Sequence, residues 1–165
     1  MSTVVTNLRV LKRSRVRPAA GDVFAMGLPN GTYLFGLVAF DHVPRERAPM
    51  PNANLLYVYR ETVASLEPPL DALTPDRLLL PPVWTNDLGW TRGYFQNVAH
   101  VDDLQSRLLR QHCFWHVPRK RYVDENGDPI AARVEPCGEY GLISYRWIDD
   151  HVSDALGIPR APLDA

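Results

Sequence analysis

Fifteen of the 165 residues are proline, about twice the usual share. Each one holds φ near about −65° and removes a backbone donor. Long helices are therefore excluded, and the chain must be assembled from short elements joined by many turns. It can still build a core. Hydrophobic residues make up 45%, charged residues 22%, and four Trp, seven Tyr and five Phe are present, a balance that excludes wholesale disorder. A length of 165 residues suits one domain and argues against separate cofactor and substrate modules. No apolar run approaches the roughly 18 residues that span a bilayer. The opening MSTVVTNLRVLKRSR puts its apolar residues before its basic ones, the reverse of a secretory signal, so the expected location is the cytoplasm.

Strand and turn signals dominate. Residues 1–20, with Arg9, Lys12, Arg13, Arg15 and Arg17 among Val and Leu, read as a basic N-terminal arm or edge strand, and residues 21–165 as a single domain. The run from Gly21 to Leu28, then Pro29-Asn30-Gly31, then Thr32 to Phe40 predicts two strands joined by an Asn-Gly reversal. Gly36 inside the second strand marks a bulge or a close backbone approach. Pro44, Pro49 and Pro51 make 42–54 an exposed loop, a third strand follows at 55–60, and 61–77 is a short helical turn with irregular connections. The Pro81-Pro82 pair confines 78–84 to a sheet edge or a packed extended segment. Trp90, Arg92, Tyr94 and Gln96 alternate as in a strand over 90–98. Asp102 or Asp103 caps a helix through Gln111, with Leu104, Leu108 and Leu109 on one face. Residues 112–116 and 120–124 look extended, and Asn126-Gly127 turns the chain into a strand over 130–134. From Tyr145 to Leu156, Ile148, Val152, Ala155 and Leu156 share one face, Asp149, Asp150 and Asp154 fall on the rest, and Gly157 with Pro159 ends the helix. The fold class is α+β: a curved antiparallel sheet or small β-barrel with two short helices packed on it.

Charge is unevenly spread. Residues 1–60 carry eight Lys/Arg against three Asp/Glu, and 61–165 carry ten against sixteen. An acidic face attracts basic partners and repels phosphate. Cys113 and Cys137 read as buried free thiols in a reducing compartment. Cys113-x-x-His116 spacing allows two ligands to approach one ion from a tight turn, but Cys137 has no second Cys or His close by to complete a zinc pair. No Walker loop, dinucleotide fingerprint, His-Glu-x-x-His or nucleophile elbow is present. A basic start beside hairpins also fits a nucleic-acid-binding small barrel with Tyr33, Phe35 or Tyr57 as stacking platforms, although the near-neutral total charge opposes it.

Three strings stand out together. They are Gly21-Asp22-Val23-Phe24 leading to Gly31-x-Tyr33-x-Phe35-Gly36; Pro81-Pro82 through Thr85-Asn86, Gly89-Trp90 and Gly93-Tyr94-Phe95; and Glu135-Pro136-Cys137-Gly138-x-Tyr140-Gly141 followed by Ser144-Tyr145-Arg146. Over roughly Gly21 to Ile158 the chain resembles the immunity protein twenty-six group of polymorphic-toxin and contact-dependent-inhibition loci. The resemblance implies a small β-rich bacterial protein that neutralises a cognate toxin domain by stoichiometric binding. It implies no catalytic residue, no metal and no cofactor. On that reading Glu135, Glu139, Asp149, Asp150 and Asp154 form an acidic face that enters the phosphate-binding cleft of a toxin such as a basic nuclease, and Trp90 and Tyr94 are candidate anchors. The alternatives are the nucleic-acid-binding barrel and a small metal- or thiol-dependent enzyme using Cys113, His116 or Cys137.

Overall fold

The three most apolar runs of the chain lie side by side in the computed structural model, which describes residues 4–163. Strands β1 (Asp22–Gly27), β2 (Tyr33–Val43) and β3 (Ala53–Val58) pair antiparallel, and β4 (Val83–Thr85) and β5 (Gln96–His100) complete a five-stranded sheet in the order β4-β3-β2-β1-β5. The first reversal forms as expected. Thr32 donates to the Asn30 side-chain oxygen from both its backbone N–H and its hydroxyl, and Leu28 N–H donates to Thr32 O at 2.8 Å. Side chains alternate between two cores until β2 bulges after Val38. Phe24, Met26, Leu34, Val38, Leu56 and Val58 face one side, and Val23, Ala25, Phe35, Leu37, Leu55 and Tyr57 the other. A sheet apolar on both faces must be covered on both.

The first cover is α3 (Tyr145–Leu156), which buries Tyr145, Ile148 and Val152. Its ends are those expected. Ser144 Oγ accepts from Trp147 N–H, and Gly157, in the left-handed conformation at φ 72°, closes the last turn. The second cover is a three-stranded sheet of β6 (Cys113–His116), β7 (Arg121–Val123) and β8 (Cys137–Glu139) in the order β7-β6-β8. The β6–β7 pair is antiparallel and the β6–β8 pair parallel. Phe114 from β6 meets Trp84 from β4 at 5.5 Å between ring centroids, and Val123 joins the same core.

Gly36 is the close approach that its place in the strand implied. It sits opposite Phe24, and a Cβ there would lie 2.2 Å from the Phe24 ring. The ring lies across the glycine and meets Trp90 at 5.3 Å and Phe95 at 5.1 Å.

Several expectations are corrected. The molecule is α+β with a curved sheet, but the sheet does not close into a barrel: β4 and β5 remain its edges. Residues 1–20 do not form a strand among the described residues, and residues 1–3 lie outside them. The arm instead runs alongside the sheet, bridging only Arg9 to Gly27 before Leu11 N–H donates to Gly93 O and Ser14 N–H to Trp90 O. Trp90 belongs to a single helical turn, α1 (Leu88–Thr91), because Asp87 O accepts from the Trp90 and Thr91 N–H groups and Gly93 takes φ 88°, which breaks the extended pattern. The expected helix through Gln111 shrinks to α2 (Leu104–Arg107). Tertiary bonds override its propensity: Arg107 donates to Leu70 O and Leu73 O, and Leu109 N–H to the Tyr57 hydroxyl. The Asn126-Gly127 turn forms, with Gly127 N–H donating to Asp124 O, but 130–134 is not a strand.

Gly36→Ala should destabilise the protein by about 1–3 kcal/mol through overpacking against Phe24, read by urea unfolding. Unchanged stability would show that the ring can step aside.

Candidate functional site

A helical side chain three residues from an apolar stripe can turn outward or inward, and in α3 the two acids that were expected on its exposed face turn inward. Asp149 is 1% exposed and Asp150 6%. Asp149 accepts from the backbone N–H of Leu8 at 2.7 Å and of Asn7 at 3.1 Å, and from Arg146 at 3.4 Å. Arg146 also donates to Asp150 and, at 3.0 Å, to Ala161 O. Two carboxylates thus saturate one arginine and two amides of the N-terminal arm, and neither is available to an incoming surface. Asp154 is exposed and paired with Arg160, whose hydrogen bond holds its carboxyl below the usual range; Arg133 does the same for exposed Glu135. Glu139 is exposed at the end of β8. The acidic run is therefore largely an internally neutralised set.

The two candidate anchors are core residues. Trp90 is 1% exposed, with its indole N–H donating to Asn97 Oδ1 at 2.8 Å, and Tyr94 stacks on Tyr145 at 4.9 Å. Of the three platforms of the nucleic-acid reading, Phe35 and Tyr57 are fully buried, while Tyr33 is half-buried with the Arg9 guanidinium over its ring at 5.3 Å. Cys113 and His116 stand in one strand, three residues apart, which sends them to opposite faces. His116 meets the Tyr140 ring at 5.3 Å, while Cys113 Sγ lies 2.7 Å from Cys137 Sγ across the β6–β8 pair. The tight turn that would have joined Cys113 and His116 at one ion is instead an extended strand.

A buried relay ties the two sheets together. Leu109 N–H donates to the Tyr57 oxygen, the Tyr57 hydroxyl donates to His112 Nε2, and His112 Nδ1–H donates to Glu125 Oε2 at 3.1 Å. The chain of donors fixes the histidine tautomer. Burial pushes the Tyr57 hydroxyl up to about 12, and the His112 bond holds the Glu125 carboxyl below its ordinary value against a smaller desolvation effect. All three groups are engaged with one another, so the relay is a structural tie.

What faces solvent is different. Trp147, 56% exposed, stands on the outward side of α3 with His151 and Asp154, at spacings of four and seven residues that stack them in one row. Beside His151 runs a groove of about 120 Å³ between the Pro81-Pro82-Val83 segment and Gly138, Glu139 and Ile143. Gly138 permits the narrow wall, because a Cβ there would lie 2.6 Å from Pro82 O. Trp147 is absent from the sequence-based set. Its signal was present: an indole off the stripe formed by Ile148, Val152 and Leu156 has no core to enter.

A family model described as Immunity protein 26 matches residues 19–119. The chain belongs to that family. The matched segment carries the whole five-stranded sheet and β6, so in this Immunity protein 26 member the shared part supplies the scaffold and one wall of the groove, while β8 and α3 follow it. No curated protein matches the chain. No solved structure matches it either. The family resemblance is thus borne out; the first two strings fall inside the matched residues, and the third, from Glu135 to Arg146, lies beyond them.

Removing one partner of a buried charge cluster is costly. Asp149→Ala should destabilise by about 3–5 kcal/mol and release the Asn7 and Leu8 amides to hydrogen exchange; retained protection at those amides would contradict the tie. For Glu125, a carboxylate whose folded-state pKa is depressed stabilises the fold above its unfolded value, and that contribution is lost as pH falls through the folded value. The stability gap between wild type and Glu125→Gln should therefore close on acidification through and below the ordinary carboxylate range. Parallel profiles would contradict the assignment.

Proposed function

We propose that this Immunity protein 26 member neutralises a cognate toxin domain in the bacterial cytoplasm by stoichiometric binding, within a polymorphic-toxin or contact-dependent-inhibition locus, and without turnover. The observation that carries this reading is family membership over residues 19–119. An inhibitor of this kind needs a rigid scaffold and a complementary surface, and a sheet buried on both faces supplies the first.

For the surface, the outward row of α3 and the adjoining groove are the best supported. A tryptophan left 56% exposed is the residue type most enriched at energetic centres of interfaces. Groove walls of Pro81, Pro82, Val83 and Ile143 offer an apolar recess beside His151, one turn along α3 from Trp147. Glu139 supplies acidic charge on the groove wall, in keeping with a basic toxin such as a nuclease. Asp149 and Asp150 contribute indirectly, by holding Arg146 and the arm in place, and Trp90 and Tyr94 by supporting the core under the helix.

The test is binding to the toxin domain encoded in the neighbouring reading frame. A one-to-one complex is expected, with Trp147→Ala weakening Kd by about tenfold or more at unchanged thermal stability. Glu139→Lys should slow association and flatten its salt dependence. Absence of a complex would overturn the function. A complex indifferent to both substitutions would overturn the face while leaving the function standing.

A further inference from the structure

We propose that Cys113 and Cys137 are a disulfide-forming pair, an oxidation site that staples β8 to β6. The two residues are direct register partners in the parallel β6–β8 ladder. Neighbouring strands lie about 4.8 Å apart, inside the window of about 4.4–6.8 Å between Cα atoms that a disulfide spans. Register partners project to the same face, and here the sulfurs are in contact. Cys113 has no competing ligand on its strand, since His116 turns to the other side against Tyr140. Val134 N–H points at Cys113 Sγ at 3.4 Å, which fixes the approach of the following segment.

Access to the pair is one-sided. Cys113 is buried and Cys137 half-buried, so a small reagent meets Cys137 first. With a low-molecular-weight disulfide as oxidant, the Cys137 thiolate attacks one of its sulfurs and expels one small thiolate, leaving a mixed disulfide on Cys137. The Cys113 thiolate then attacks Cys137 Sγ and expels the second small thiol. The protein loses two protons and two electrons, and the small disulfide becomes two thiols. Burial and the neighbouring thiol push Cys137 up to about 12, so its thiolate is scarce near neutrality and the exchange is slow, accelerating with pH.

The staple matters for the groove. β8 is three residues long, is preceded by the exposed segment 131–135, and carries Gly138 and Glu139 of the groove wall. Cross-linking residues 24 apart closes that segment into a loop and removes its freedom to lift away.

The experiment exposes the whole chain to oxidised glutathione across a pH series, then alkylates free thiols and maps peptides under non-reducing conditions. The expected product has lost two hydrogens, contains a linked Cys113–Cys137 peptide and resists alkylation at both positions. Its tryptic cleavage after Arg133 should slow by about tenfold or more relative to the reduced chain. Cys113→Ser should instead accumulate the mixed disulfide at Cys137. A wild-type chain that stops at the mixed disulfide, dimerises through Cys137 or remains alkylatable at both thiols would overturn the proposal. None of these readouts involves the toxin, so the staple and the neutralising function stand or fall separately.

Discussion

A sheet with apolar side chains on both faces cannot exist alone in water, and this requirement organises the molecule. β1, β2 and β3 send alternate residues into two cores, and every other element is placed by the need to cover one or the other. α3 covers one side. The three-stranded sheet, reaching over Trp84 through Phe114, covers the other. The sheet's central strands are close enough for the Phe24 ring to lie on Gly36, so it serves as a dense plate between two layers. Some of the polar groups left inside fasten the layers: Asp149 binds the arm to α3, and the Tyr57-His112-Glu125 relay binds the second sheet to β3.

The functional consequence is a division between scaffold and surface. The family match ends at residue 119, after the large sheet and β6, whereas the exposed row of Trp147, His151 and Asp154 and the wall bearing Glu139 follow it. A protein that works by occupying another needs its recognition side chains on rigid elements, and α3, capped at both ends and anchored by Asp149, is such an element. Charge is used sparingly there. Of the five acids expected to form the face, four are paired with Arg146, Arg160 or Arg133, and the solvent-facing features that remain there are an indole and an apolar recess.

Local chemistry was legible in the sequence wherever neighbours decide the conformation. Asn30-Gly31 made its turn, Gly157 ended its helix, Pro81-Pro82 led into an edge strand, and the resemblance pointed to the right family. Long-range partners were not legible. Asp149 looked solvent-facing because its partners, the Asn7 and Leu8 amides, lie at the opposite end of the chain. Trp90 and Tyr94 alternated like strand residues until Gly93 adopted a positive φ. The parallel pairing of β6 with β8 joins segments separated by the Asn126-Gly127 turn and the exposed stretch 131–135, and no local pattern announces it. Glu135, Glu139 and Asp154 of the expected acidic set do lie at the surface, while Trp147, two turns from Asp154 on α3, was visible only as an indole misplaced on its helical wheel.

Neutralisation by occupancy differs from chemical inactivation in its stoichiometry, which makes a titration of the toxin domain's own activity the most direct measurement. Added chain should extinguish that activity linearly to a sharp endpoint at one molecule per toxin domain, with activity regained when the complex is dissociated and the two proteins are separated. Loss of activity at a small fraction of one equivalent, or activity that does not return, would show that the chain transforms its target and would contradict a role in binding alone.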